Sequence, residues 1–490
     1  MRTTITLLVV FLWAFGLQAQ EDGFTINWEQ NFGGGLYEEF TSAIATNDGG
    51  FICVGRTESY GTGEYGKPDI WVVKTNSEGE ILWDKTFGEA DSLDRAYKII
   101  ESGDGNYLIA GERVQDIVYG NGWNAAILKI DPQGNEIWYK LYGGEETDMF
   151  RNINPTMDGG FIACGVTRSY GAQFIDAWLL KIDADGNEEW NQKYGGEGYE
   201  VFKNVYETSD GGFIACGFTN SDFGSGSYDY YVVKTNDVGE QEWMQTYGNE
   251  HSNKAYCMAP ASENSYIIGG GWMSGSNDGD RFDLNVLEIN QEDGGIIWQQ
   301  TYPDTTNNEP FAVYPSTDNG WIFAGKSGFA KEVYQTDARI TKINQNHEIV
   351  ADTAFGYQAS ETLENIIHID YNNYLVMGST MSIGAGSGDA WLLKMKDMEA
   401  APVGIERITS GGFTISPNPS SGIINLSDFQ THASSLENIG NIEIYDITGN
   451  VIYIMDKTPS QMDLSAHSKG IYFIIIKYEN ILFIKKLILQ

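Results

Sequence analysis

The stretch Asp158–Gly196, DGGFIACGVTRSYGAQFIDAWLLKIDADGNEEWNQKYGG, recurs in variant form along most of the chain, at a spacing of roughly 52–55 residues. An aromatic that follows a turn appears seven times, at Phe51, Tyr107, Phe161, Phe213, Tyr266, Trp321 and Tyr374. A DAWLLK-like segment also appears seven times, ending at Lys74, Lys129, Lys181, Lys234, Glu288, Lys342 and Lys394. A Trp four residues before an aromatic-Gly pair occurs at Trp28, Trp83, Trp138, Trp190 and Trp243; Trp298 stands in the same place before Tyr302-Pro303, and a seventh copy has Ala351 instead. A period of this length without helical patterning marks a propeller or a solenoid.

Each repeat holds four short apolar runs. Asp48-Gly49, Asp104-Gly105, Asp158-Gly159 and Asp210-Gly211 suit tight hairpin turns between the first and second runs, because Asp and Gly tolerate positive φ. The second run is FIACG-like. The third alternates large apolar residues as a half-buried strand does. Asx-x-x-Gly segments follow, such as Asp131–Gly134 and Asp183–Gly186, with the pattern of a type I turn closed by a left-handed Gly. The fourth run carries the Trp.

Four antiparallel strands repeated seven times predict an all-β, seven-bladed β-propeller. The first Trp run, 24–32, precedes the first full hairpin, and the last repeat stops at Lys394 without a Trp run. The N-terminal strand is therefore expected to complete the last blade and close the ring. An open solenoid would need polar caps.

Arg2, the apolar run 5–15 and Leu17-Gln18-Ala19 have the pattern of a secretory signal peptide cleaved after Ala19. No later run is long enough for a transmembrane segment. The formal net charge of −38 argues against nucleic acid and anionic membranes as partners. No cofactor is expected, although so acidic a surface would suit Ca2+. The four cysteines, Cys53, Cys164, Cys216 and Cys257, form no CxxC and read as small buried apolar residues.

The connections between second and third strands are long and rich in Gly, Ser and aromatics. They share an end with the acidic blade-to-blade connections, such as Glu38-Glu39, Glu145-Glu146 and Glu197. Function on a rigid scaffold usually sits on such loops. The candidate binding residues are Tyr60, Tyr65, Tyr119, Trp123, Tyr170, Phe174, Phe223, Tyr228 and Trp272.

The register ends at Lys394, and 396–410 reads as a linker. The domain plan is thus a signal peptide at 1–19, a propeller at 20–395, the linker, and a C-terminal domain at 411–490. That last domain reads as short strands and turns forming a small Ig-like β-sandwich. Its Pro417-Asn418-Pro419 and Gly422 opening, Asp446 and Gly449 hairpin, Gly470-Ile-Tyr472 strand and Lys485-Lys486 terminus resemble the type A sorting domain of the Bacteroidetes type IX secretion system. The resemblance implies export through the type IX machinery to the cell surface or the medium. The repeats themselves resemble the DGGF-type propeller repeats of secreted Bacteroidetes proteins and, more distantly, quinoprotein repeats. The usual eight blades and the dedicated ligands of quinoprotein dehydrogenases have no counterpart in this sequence.

Little in the sequence points to a reaction. Gly61–Gly66 fits G-x-G-x-x-G, but a strand pattern follows where a dinucleotide site needs a helix. Asp183–Glu188 has oxygen ligands at alternate positions, yet lacks the length of an EF-hand loop and fits a hairpin turn better. Asp69, Asp176, Asp229, Asp283, Asp337 and Asp389 recur at the start of the third strand, which suits a structural role. There is no G-x-S-x-G and no H-E-x-x-H. The sequence therefore favours an exported binding or adhesion protein that recognises a glycan or a protein through its long-loop face. The alternatives are a polysaccharide-active hydrolase using two carboxylates and a quinoprotein-like oxidoreductase.

Overall fold

The computed structural model describes residues 23–62, 67–89, 92–114, 122–172, 174–273, 275, 281–328, 335–370 and 372–398. Beyond them it describes 407–409, 414–416, 418, 420, 422–427, 442–446, 451–455, 461–465, 469–478 and 481–489. The leader with Ala19 lies outside these residues. So do most of the Gly61–Gly66 motif and the candidates Tyr65 and Tyr119. All regular structure among the described residues is strand. The chain divides into two compact units, Met1–Ala400 and Ala401–Gln490.

The first unit holds seven four-stranded antiparallel sheets. Their first strands are Glu38–Ala45, Leu93–Glu101, Asp148–Pro155, Glu200–Glu207, Asn253–Ser262, Asn307–Pro315 and Glu361–Asp370. Six sheets are built from consecutive strands. In the seventh, the fourth strand is Phe24–Phe32, which pairs with Asp389–Asp397 from the far end of the unit. Each sheet packs on the next, and the first strand of sheet one also packs on three strands of sheet seven. Apolar side chains fill every junction: Phe32, Phe40, Trp71, Met377 and Leu392 share one cluster across sheets seven and one.

The repeated Trp and the repeated turn Gly turn out to be partners across these junctions. Gly79, Gly134, Gly186, Gly239 and Gly294 all have φ between 73° and 79°. Each lies against the fourth-strand Trp of the preceding sheet: Trp28, Trp83, Trp138, Trp190 and Trp243. Hydroxyls of Tyr142 and Tyr194 donate to the carbonyls of Gly186 at 2.8 Å and Gly239 at 2.6 Å. In sheet six His347 replaces the Gly, keeps a positive φ of 65°, and stacks on Trp298 at 3.7 Å.

The recurrent Lys of the third strand also has a structural partner. Lys74, Lys129, Lys181, Lys234 and Lys342 bind Asp48, Asp104, Asp158, Asp210 and Asp318 of the Asp-Gly and equivalent hairpins at 2.8–3.0 Å. These pairs pin the tight-turn end of five of the seven sheets. All four cysteines are buried and free.

Each first strand carries a β-bulge at the same place, so one residue per strand drops out of the pairing. The unpaired residues are Thr41, Tyr97, Arg151, Lys203, Tyr256, Phe311 and Glu364. All seven line a single cavity of about 350 Å³ between the first strands. A bulge bends its strand and re-aims a side chain, and here it does so in every sheet.

The second unit contains a five-stranded and a three-stranded sheet. Ile424, Leu426 and Met462 of the smaller sheet share one core with Ile442, Ile444, Ile474, Ile476 and Leu487 of the larger. Arg407–Thr409 joins the larger sheet through a parallel pairing with Ile481–Phe483.

Candidate functional site

The long connections and the sheet-to-sheet connections meet at one end of the first unit. Parallel bridges join Tyr37 to Gly388, Ile175 to Tyr199, and Tyr228 to Ser252. Backbone amides of the long loops reach the preceding connection, as in Glu58 to Tyr37 at 3.0 Å and Arg168 to Thr147 at 2.7 Å.

Within the first unit, the exposed aromatic side chains of the described residues are Tyr60, Tyr170, Phe174, Tyr199, Phe223 and Tyr357. All six lie on connections at this end. Three of them are the outermost members of aromatic stacks that run down into the core. Tyr60 lies 5.4 Å from Trp71, which stacks on Phe40 at 5.4 Å. Tyr170 lies 6.0 Å from Trp178, which stacks on Phe150 at 5.0 Å. Phe223 lies 5.7 Å from Tyr231, which stacks on Phe202 at 5.6 Å. The stacks hold these rings in place with one edge or face left to solvent, which lowers the ordering cost of a ligand contact. Phe174 and Tyr199 pair with each other at 6.0 Å.

The other candidates are more enclosed. Trp123 is half-buried, with the Arg95 guanidinium 6.0 Å from its ring. Tyr228 is half-buried beneath the Lys254 ammonium at 4.3 Å. Trp272 meets Tyr230 edge-on at 5.7 Å. Tyr199 and Tyr357, outside the candidate set from the sequence, belong with the exposed group. They sit on the sheet-to-sheet connections, whose sequence stands out for its carboxylates rather than its aromatics.

The carboxylates at this end are less available than their sequence positions suggest. Glu38, Asp94, Asp148 and Glu200 are buried. Glu38 accepts bonds from the Gly34 amide at 2.8 Å, the Thr57 hydroxyl at 3.0 Å and the Ser59 amide at 2.9 Å. Glu200 accepts from Gly196, Thr219 and Ser221 at 2.6–2.9 Å. The third-strand aspartates also bind loop amides: Asp69 accepts from Thr62 at 2.6 Å and Asp389 from Ala385 at 2.7 Å. Burial, with the charge of Glu38 adding to it, pushes Asp389 up to about 6. Asp183, weighed as a cation ligand, accepts the Asp185 and Asn187 amides of its own turn at 2.9 and 2.8 Å. Among the described residues no group of three or more His, Cys, Asp or Glu could hold a metal ion.

The side chains facing the central cavity are not legible from the sequence because a bulge breaks the strand alternation. A charged residue directly after Phe150, Phe202 and Leu363, at Arg151, Lys203 and Glu364, is the signal the sequence does carry.

In the second unit, Asn418 accepts the Ile488 amide at 2.9 Å, and Gly422, with φ of 130°, lies against Ser465. Gly470 opens a strand paired to Leu489, and Tyr472 is buried in the core. Lys485, Lys486 and Asp446 occupy strand positions opposite Ile474, Phe473 and Tyr472. Pro417, Pro419 and Gly449 lie outside the described residues.

Residues 414–490 match the family model described as the secretion system C-terminal sorting domain. No curated protein matches the chain. Among solved structures, it is similar to the Pan2 WD40 domain of Neurospora crassa, at 8% identity and a TM-score of 0.48, covering 77% of this chain and 96% of that one. It is similar to PorZ, a surface component of the type IX secretion system of Porphyromonas gingivalis, at 12% identity and a TM-score of 0.44, covering 94% of this chain and 60% of that one. An α-L-arabinanase of Penicillium chrysogenum is similar at 11% identity and a TM-score of 0.40, covering 61% of this chain and 92% of that one. No helix among the described residues is long and apolar enough to cross a membrane. The tail is thus a type IX C-terminal sorting domain preceded by propeller-like repeats of four-stranded sheets, and it marks the protein for export to the cell surface or the extracellular space.

Proposed function

We propose that this protein is an exported binding module, a closed seven-bladed β-propeller that recognises a glycan or a protein through its long-loop end. Its leader, 1–19, would direct passage across the inner membrane with cleavage after Ala19. The C-terminal domain, an Ig-like sandwich in this reading, would then engage the secretion machinery. Ring closure is supported by the pairing of Phe24–Phe32 with Asp389–Asp397 and by the cavity that touches all seven first strands. The binding reading rests on one observation: the six exposed aromatics among the described residues of the first unit all sit at one end, three of them fixed by stacks beneath. Rigid aromatics of this kind supply contact area at low entropic cost. The hydrolase alternative has less to draw on, since the repeated carboxylates at this end are engaged by their own loops.

The test is a glycan array and a surface-protein pull-down with the mature chain and with a Tyr60→Ser/Phe174→Ser/Tyr199→Ser variant. The expected outcome is a defined ligand that the variant fails to retain at unchanged thermal stability. A ligand held equally by the variant contradicts the assignment of the face. Sugar products released from the array would replace the binding reading with a hydrolytic one.

A further inference from the structure

The central cavity departs from the character of the rest of the molecule. The chain carries a net charge of −38, yet Lys98, Arg151 and Lys203, on three successive first strands, all line the cavity. The ammonium groups of Lys98 and Lys203 make no hydrogen bond and no ion pair within 4 Å among the described residues. Arg151 bonds only the Met149 sulfur, at 3.0 Å, while its buried Nε has no partner. Its guanidinium lies 4.3 Å from the ring of Tyr97. Burial, with the nearby Arg151 charge adding to it, pushes Lys203 down to about 8. All three residues are half-buried, and the one carboxylate acting on Lys203 is Glu364; cations drawn partly out of water are costly unless opposite charge balances them. Three cations on neighbouring strands leave a site that an anion would relieve.

The other wall is aromatic. Tyr256 and Phe311 meet edge-on at 5.3 Å, and Tyr206 and Tyr314 lie one level further along their strands. Two carboxylates also line the cavity. Glu39 is neutralised by Arg56 at 2.8 Å. Glu364 is pushed up to about 7 by burial and then by Glu39, so a share of it is protonated near neutral pH. The volume of about 350 Å³ falls at the small end of ordinary ligand sites.

The geometry points to a second binding site: the central cavity takes a small ring-bearing organic anion, its carboxylate or phosphate between Arg151 and Lys203 and its ring against Tyr256 and Phe311. Arg supplies a planar fork for such an anion and Lys a point charge. This site is separate from the long-loop end and stands whatever that end recognises.

The test uses the mature full-length chain and calorimetric titration near pH 7 with D-glucuronate, D-glucose and inorganic phosphate. Saturable binding of glucuronate, with phosphate weaker and glucose silent at about 10 mM, supports the proposal. Arg151→Met and Lys203→Met should each weaken glucuronate at least about tenfold, the size expected for a lost charge-assisted bond. Lys203→Arg should retain most of the affinity. Near-UV circular dichroism checks that each variant is folded, and the wild-type titrations stand even if a variant is not. Silence with both anions, glucose bound as well as glucuronate, or folded Met variants that bind normally would overturn the proposal. Phosphate bound as tightly as glucuronate would overturn the role of the aromatic wall.

Discussion

Replacing Gly186 by Ala tests the packing between sheets with an internal control at Gly159. Both glycines hold left-handed backbone, with φ of 75° and 86°. A methyl at Gly159 would meet nothing within 4 Å, whereas one at Gly186 would fall 2.8 Å from the Trp138 ring and 3.2 Å from the Tyr142 hydroxyl. Gly159→Ala therefore isolates the conformational term, about 1 kcal/mol for a non-Gly residue in this region. Gly186→Ala adds the displacement of Trp138, which packs on the core cluster of sheets two and three. Overpacking of this kind costs about 1–3 kcal/mol, so the total is about 2–4 kcal/mol. Urea unfolding of both variants, followed by Trp fluorescence, gives the two values. Equal destabilisation would mean that Trp138 yields freely, and would refute the claim that the repeated Trp and Gly lock neighbouring sheets together.

Three other outcomes follow from the buried charges and thiols. Folded Asp389, at about 6, and Glu364, at about 7, hold their protons at higher pH than their ordinary values of 3.8 and 4.5, so stability should rise as pH falls from 7 towards 5. Below about 4 it should fall again as protonation removes the advantage of Asp48, held down to about 2 by hydrogen bonds from Thr46 and Lys74. Asp389→Asn should flatten the rise in a pH series of melting curves. Lys234→Met removes an ammonium bound to Glu242 at 2.7 Å, the Thr235 carbonyl at 2.9 Å and Asp210 at 3.0 Å. Since both carboxylates can rehydrate, the loss by urea unfolding should be only about 1–2 kcal/mol. The four buried, free cysteines should resist a thiol reagent in the native protein and should all react in denaturant without prior reduction.

Much of this architecture is legible in the sequence because each signal is local. The Asx-x-x-Gly turns, the alternation of DAWLLK-like strands and the missing Trp strand of the last repeat depend only on neighbouring residues. The Trp and the turn Gly were legible as repeats, but not as partners, because they meet across a junction roughly one repeat apart. The acidic connections carried a misleading signal. Glu38 and Glu200 look like surface charge, yet hydroxyls and amides supplied by the adjoining long loop enclose them. The cavity was hidden for a different reason. Arg151, Lys203 and Glu364 share a position only through the bulge, and composition reports the acidity of the surface rather than the charge of the interior.

Hydrogen exchange of the Phe24–Phe32 amides tests most directly the proposed ring closure, on which both proposed sites depend. Paired with Asp389–Asp397, these amides should exchange as slowly as those of the strands they complete, in step with unfolding of the whole unit. Rapid exchange of 24–32 while the neighbouring strands stay protected would show a frayed terminus and an open array, and would contradict the account.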